Sequence, residues 1–235
     1  MSSLLEIKDL WGGYTEGVDI LRGINMEVQQ EESVGIIGLN GSGKSTLGKA
    51  IVNMIPIRRG TILFEGEDIT SLKTHELARR GISIMQQGGK IFPTLSVWEN
   101  LQLANNRTKS STINTQLQEI IPLLQRPQRD LQRTMADKLS GGQKHQLSLA
   151  MTLSSNPRLV ILDEPSAGLS PKAVEEMYQV LRAVKEMTDV TVLLIEQNIA
   201  KAVGVCESVL LLRKGIILNV TRHDKIKEIE MIMFK

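Results

Sequence analysis

Residues 33–46 read SVGIIGLNGSGKST. The apolar run SVGIIG suits a strand buried on both faces. The segment after it, STLGKAIVNMI, has helical length and is expected to stop at Pro56. Between the two, Gly38, Gly43, Lys44 and Ser45 fit the pattern G-x-x-x-x-G-K-[ST]. No other stretch restricts the fold as tightly, because the pattern works only as a strand, a tight loop and a helix in succession. Residues without Cβ let backbone N–H groups curl around an anion. The helix N-terminus adds about half a positive elementary charge at the same point. The loop of Gly38, Asn40, Gly41, Ser42, Gly43, Lys44, Ser45 and Thr46 is therefore expected to cradle phosphates. Lys44 would reach the β- and γ-phosphates, and the Ser45 hydroxyl would ligate Mg²⁺.

Strand-like and helix-like segments alternate around this unit. RLVILDEP (158–165) and TVLLIEQN (191–198) read as further buried strands, as does ISIMQ (82–86). HELARRG is a short helix ending at Gly81, and Ser170-Pro171 opens a helix with Val174, Met177, Leu181 and Val184 on one face. The N-terminal runs LLEIKDL and ILRGINMEV, separated by a Gly-rich turn, suggest antiparallel strands, and VLLLRKG–IILNV a hairpin. From about Gly88 to Leu139 the composition turns Gln-, Asn-, Arg- and Leu-rich. There Ser96 and Glu99 have capping-box spacing. Ile113, Leu117, Ile120, Ile121 and Leu124 form a helical stripe that Pro122 kinks or ends. The tail KIKEIEMIMFK reads as a short amphipathic helix. The expected fold is α/β: a mainly parallel sheet with an N-terminal antiparallel β subdomain and an inserted helical lobe. Residues 1–88 and 139–235 form the core, and 89–138 the lobe.

Composition narrows function by exclusion. A chain of 235 residues with 41% hydrophobic content can bury one large core. A net charge of +2, without a basic run interleaved with aromatics, argues against nucleic-acid binding. The single Cys206 permits no intramolecular disulfide and reads as a small core residue in a reducing compartment. No stretch approaches the roughly 20 apolar residues of a membrane span. The start, MSSLLEIKDL, lacks the charge and apolar pattern of a secretory leader, so a cytosolic protein is expected.

Four further markers carry chemistry. Leu159 to Leu162 deliver Asp163 and Glu164 to the carboxyl end of a strand, the end at which open α/β sheets bind ligands. Two adjacent acids there are costly unless a cation or a proton transfer uses them. Asp163 is assigned to Mg²⁺, directly or through water, and Glu164 to the role of general base for an attacking water. Gln87, with Gln86 the competing choice, ends the strand before the lobe and can touch Mg²⁺ or the water. Tyr14 lies in a Gly-rich turn and could stack on an adenine ring. Finally, LSGGQ (139–143) opens a helix with Ser140 and Gln143 at capping-box spacing. A cap explains those two residues but not Gly141 and Gly142, which cost helix stability.

GLNGSGKST, Gln87, LSGGQ, VILDEP and IEQN occur in this order over nearly the whole chain. Together they resemble the ATP-binding subunits of ABC (ATP-binding cassette) transporters, built on a P-loop NTPase core. The resemblance implies MgATP hydrolysis. It also implies that the backbone amides of Ser140, Gly141 and Gly142, with Gln143, bind the ATP held by a second ATPase subunit, so that two chains pack head to tail around two nucleotides. Further implied partners are integral membrane permeases and, indirectly, a periplasmic or extracellular solute-binding protein, with the chain peripheral at the cytoplasmic face of the cell membrane. QQGGKIFPTLSVWENL, DEPSAGLSP and LLIEQN look like the ATPases of branched-chain amino acid importers and related urea or amide importers. Gln197 stands where many relatives carry His, a pattern found in one of the two ATPases of branched-chain importers, so a heterologous partner and slower hydrolysis at this site are expected. Ser170 replaces a usual Asp, and Met151 a usual Arg. In the resemblance, Ile91, Phe92 and Pro93 would help form the groove that receives the permease. A lipopolysaccharide or other exporter ATPase and a soluble iron–sulfur assembly ATPase are the competing readings.

Overall fold

The computed structural model describes residues 3–105 and 115–222. In chain order the strands are β1 (Ser3–Gly12), β2 (Leu21–Gln29), β3 (Ser33–Ile37), β4 (Ile57–Phe64), β5 (Glu67–Asp68), β6 (Ile82–Met85), β7 (Leu159–Asp163), β8 (Thr191–Glu196), β9 (Ser208–Arg213) and β10 (Ile216–Arg222). The helices are α1 (Lys44–Ile51), α2 (Thr74–Arg79), α3 (Val97–Ala104), α4 (Thr115–Ile120), α5 (Gln128–Arg133), α6 (Gly141–Leu153), α7 (Pro171–Met187) and α8 (Ile199–Val203). One sheet is antiparallel, in the order β2-β1-β4-β5. The other runs β10-β9-β3-β8-β7-β6, parallel except for the β9–β10 hairpin. The α/β fold with a mainly parallel sheet and an N-terminal antiparallel one is thus the fold expected.

The apolar strand runs are continuous because each parallel strand serves two cores. Leu159 and Ile161 of β7 and Leu193 and Ile195 of β8 face a cluster shared with α1 and the antiparallel sheet. Their neighbours Val160, Leu162, Val192 and Leu194 face a cluster shared with α6, α7 and the helices of the lobe. Helix α1 therefore lies between the two sheets. Gly48 lets it settle there, since a Cβ at that position would stand 2.8 Å from the Ile195 Cδ1 atom.

Two boundaries differ from expectation or fall outside what is described. Helix α1 ends at Ile51, well before Pro56. Asn53 turns the chain with φ at 51°, and its Nδ2 donates to the carbonyls of Ile69 and Leu72 at 2.9 and 2.8 Å. A side-chain amide anchored in this way ends the helix before proline chemistry is needed. Ile113 and the tail KIKEIEMIMFK lie outside the described residues.

The described residues of the lobe, 96–105 and 115–138, are mostly helical. Ser96 caps α3, its Oγ accepting from the Glu99 N–H at 3.2 Å while its own N–H donates to Glu99 Oε2 at 2.7 Å. Pro122 ends α4 and opens a 3₁₀ turn over 122–125, with Leu117, Ile120, Ile121 and Leu124 buried. Asn100 pins the loop ahead of α3, accepting from the Phe92 N–H at 2.8 Å and donating to its carbonyl at 3.0 Å. The Phe92 ring is left half exposed. Cys206 is buried, and burial pushes its thiol up to about 12, which leaves it a core residue without thiolate chemistry.

Candidate functional site

Strand register assembles the site. Met85 pairs with Leu162, Asp163 with Ile195, and Ile37 with Glu196. The carboxyl ends of β3, β6, β7 and β8 therefore share one edge. That edge gathers the glycine loop after β3, Gln87 after β6, Asp163 and Glu164 at the end of β7, and Glu196 and Gln197 at the end of β8.

The glycine loop closes over the N-terminus of α1. Gly41 and Gly43 adopt φ of 77° and 107°, in the left-handed region open to glycine. Gly38 is required for space, because a Cβ there would come within 2.2 Å of the Leu212 carbonyl oxygen. Asn40 and Gly41 are exposed at the loop tip, whereas Ser42, Lys44 and Thr46 are buried. The Ser42 Oγ is a buried polar atom without a hydrogen-bond partner among the described residues. Such an orphan atom, in a loop of bare N–H groups, fits a phosphate site.

Lys44 is 4% exposed, and its Nζ donates to the carbonyls of Gly38 and Leu39 at 2.9 and 3.2 Å. Burial lowers its pKa, opposed by the nearby Glu164 and Asp163 carboxylates. The Ser45 Oγ donates to Asp163 Oδ1 at 2.8 Å. Asp163 is 2% exposed, and burial raises its pKa against the pull of the Ser45 hydroxyl. A hydroxyl and a carboxylate this close form a hard oxygen pair. No cluster of three or more His, Cys, Asp or Glu side chains suited to a metal occurs among the described residues. That donor set fits Mg²⁺, which is held by one or two protein oxygens and completes its shell with phosphate oxygens and water.

Glu164 turns out of the sheet with φ at 46°, a conformation L residues rarely adopt. Its carboxylate lies 3.9 Å from Lys44 Nζ and accepts from Gln87 Nε2 at 2.6 Å. Burial raises its proton affinity, opposed by the Lys44 charge. Of the two adjacent glutamines, Gln87 is the one that reaches the acidic edge. Gln86 instead lines a groove of about 300 Å³ with Lys90, Ser148 and Met151, its Nε2 lying 3.9 Å from Met54 Sδ. Met151 packs its thioether at that groove, partly buried. Glu164, Gln197 and Lys201 line a common cavity of about 460 Å³ with Ser166, Ala167, Glu196 and Asn198. Tyr14 is exposed, and Lys49 Nζ stands 5.5 Å from its ring centroid.

LSGGQ opens α6, with Ser140 and Gly141 exposed, Gly142 and Gln143 half-buried and Leu139 in the core. The Ser140 Oγ accepts from the Gln143 N–H at 3.3 Å, and Gln143 Oε1 accepts from the Ser140 N–H at 3.1 Å. The capping box thus forms as its spacing predicts. The two glycines differ in what the chain's own packing asks of them: neither adopts a positive φ, a Cβ on Gly142 would crowd the Ala173 Cβ at 3.1 Å, and a Cβ on Gly141 would meet nothing nearer than Leu169 Cδ2 at 3.8 Å, so only Gly141 lacks an internal reason. On α7, the Ser170 Oγ accepts from the Ala173 N–H at 3.4 Å, so serine serves as N-cap where an Asp would serve equally.

Sequence reasoning missed one group. Glu196 is 5% exposed, and its carboxylate accepts from the Tyr178 hydroxyl at 2.5 Å, the Ser166 hydroxyl at 3.2 Å and the Gln197 N–H at 3.1 Å. An acid ending the apolar run VLLIE was the available signal. Its partners, distant in sequence, were not.

The model of the family described as ABC transporter matches residues 21–167. The lipopolysaccharide export ATP-binding protein LptB of Acidithiobacillus ferridurans is 30% identical over 99% of this chain and 95% of its own length. The high-affinity branched-chain amino acid transport ATP-binding protein BraG of Pseudomonas aeruginosa is 30% identical over 90% of this chain and 88% of its own. Among solved structures, cbiO1 of Clostridium perfringens, part of the ABC transporter complex cbiONQ, superposes with a TM-score of 0.83 at 26% identity, covering 99% of this chain and 93% of that one. With the glycine loop, the acidic edge and the surface LSGGQ turn arranged as above, these likenesses establish that the chain belongs to the ABC transporter family, as one of its ATP-binding subunits.

Proposed function

We propose that this chain hydrolyses MgATP to power an importer of branched-chain amino acids, working beside a second, different ATPase subunit and docked on membrane permeases. The observation that carries the choice of importer is the Glu196-Gln197-Asn198 ending of β8. The likeness to BraG supports it. The equal likeness to LptB supports one competing reading, an exporter of lipopolysaccharide or a similar lipid. Affinity isolation from membranes, with identification of the associated chains, tests the choice. Permeases accompanied by a solute-binding protein fit import, and permeases that carry bound lipopolysaccharide or another lipid overturn it. Among the described residues no helix is long and apolar enough to cross a membrane, so anchoring falls to such partners.

In this reading the loop of Gly38, Asn40, Gly41, Ser42, Gly43, Lys44, Ser45 and Thr46 wraps the phosphates, and Lys44 exchanges its carbonyl partners for phosphate oxygens. Ser45 and Asp163, with Gln87 on approach, would hold Mg²⁺, which would supply positive charge against the phosphate oxygens. Glu164 takes the proton of the attacking water. Its raised proton affinity suits it to that step. Gln197 donates a hydrogen bond to the γ-phosphate but cannot carry charge as an imidazolium does. Tyr14 offers a stacking face for adenine. Ser140, Gly141, Gly142 and Gln143 complete the partner's nucleotide site, which accounts for a glycine at 141 that the chain's own packing does not require.

Two predictions follow from these roles. Gly141→Ala should leave the melting temperature unchanged, because the added Cβ has room. It should nevertheless weaken ATP-driven pairing by about tenfold, the effect of losing roughly 1.4 kcal/mol of contact. Sedimentation with ATP measures this, and unaltered pairing removes the trans role of the glycine. Gln197→His should raise turnover at this chain's own site, by up to about 10²-fold, the lower end of what a positioned proton carrier contributes. Single-site turnover in the assembled pair reads it; an unchanged rate ends the assignment of Gln197 as the weak element.

A further inference from the structure

We propose that Glu196 is a positioning residue for ATP hydrolysis: clamped by Tyr178 and Ser166, it fixes the Gln197 backbone and holds the Glu164 loop in place. The inference rests on the hydrolytic reading above and extends it to three residues with no assigned role. A buried carboxylate is costly unless hydrogen bonds satisfy it. Here three donors converge on one group from three separate places: α7, the loop after β7, and the turn after β8. Fold stability alone would be served as well by an apolar residue of similar size.

The donors explain the choice of a carboxylate. Ser166 stands two residues beyond Glu164, whose backbone is held at φ 46°. Strain of that kind persists only where the surroundings over-determine it. Glu164 is pinned from one side by its N–H, which donates to the Ile195 carbonyl at 3.0 Å, and the Ala167 N–H donates back to the Glu164 carbonyl at 3.0 Å. The Ser166 hydroxyl on Glu196 closes the loop from the other side. The same carboxylate receives the Gln197 N–H through its second oxygen. Glu196 thus ties the residue assigned as base and the residue assigned to the γ-phosphate to a common point. The clamp is itself braced: Lys201 Nζ sits over the Tyr178 ring, 5.6 Å from its centroid, a favourable cation–π placement.

Two variants separate positioning from mere packing. Tyr178→Phe removes only the hydroxyl. Glu196→Gln keeps the size and an acceptor for Tyr178, and presents an amide donor where the Gln197 N–H needs an acceptor. In the intact transporter complex both should lower kcat for ATP by about tenfold with KM unchanged, a step below the roughly 100-fold that a 1 Å misplacement can cost. Hydrogen–deuterium exchange, which needs no turnover, should quicken in peptides covering 164–168 and 196–199 while α7 stays protected. Unchanged exchange at both loops overturns the proposal, as does a loss of kcat that arrives with a raised KM and quickened exchange throughout α7 and β8. Wild-type complex that fails to hydrolyse ATP would instead refute the function proposed above, and the exchange result would still decide the clamp.

Discussion

Glu164→Gln is expected to lower ATP turnover by about 10²- to 10⁴-fold, the range a positioned general base contributes. The substitution keeps size and shape. The new amide oxygen can still accept from Gln87 Nε2, which now lies 2.6 Å from the carboxylate. What disappears is the ability to take a proton. Loss of the negative charge 3.9 Å from Lys44 frees that cation for phosphate, so ATP affinity should hold or rise. The variant should therefore bind MgATP, close on its partner subunit and remain closed. Phosphate release under single-turnover conditions and light scattering of the nucleotide-bound pair are the two measurements. A variant with undiminished turnover would remove Glu164 from the reaction. One that binds MgATP with its partner subunit present but never forms a closed pair would undo the head-to-tail arrangement on which the role of LSGGQ depends.

Lys44→Ala should have the second largest effect, on binding. A charge-assisted hydrogen bond contributes about 1.5–3 kcal/mol, and each 1.4 kcal/mol is about tenfold in affinity. Loss of one such contact to phosphate therefore predicts weakening of roughly one to two orders of magnitude. The fold should tolerate the change. Lys44 is buried at a desolvation cost that lowers its pKa, and it is held by two loop carbonyls and a 3.9 Å pairing with Glu164. Removing it relieves that cost while leaving two acceptors less well satisfied, and these effects oppose each other. Equilibrium binding of a fluorescent ATP analogue, alongside thermal unfolding, separates the two. Unaltered affinity would displace Lys44 from the phosphates, and a collapse in melting temperature would make its role structural.

Much of the molecule is legible in the sequence because local rules and the global fold agree here. The Ser96–Glu99 and Ser140–Gln143 capping boxes form where their spacing puts them. Ser170-Pro171 opens α7, and Pro122 closes α4. The end of α1 departs from its local pattern. Asn53, not Pro56, turns the chain, and the carbonyls that anchor Asn53 come from residues 69 and 72, beyond the reach of any local pattern. The choice between Gln86 and Gln87 was likewise open in the sequence. Adjacent residues at a strand end point to opposite sides, and the pairing of β6 with β7 determines which of them faces Glu164.

The strand–loop–helix phosphate cradle, the acidic strand end and the capping box of LSGGQ are written in the chain, because each is a short-range matter of backbone freedom, strand alternation or helix capping. Packing across the sheet brings Tyr178, Ser166 and Gln197 onto the buried Glu196, Ser45 to Asp163, and Gln87 to Glu164. Those contacts join residues up to 118 positions apart. Their existence depends on strand order and register in the parallel sheet, which many packed side chains set together.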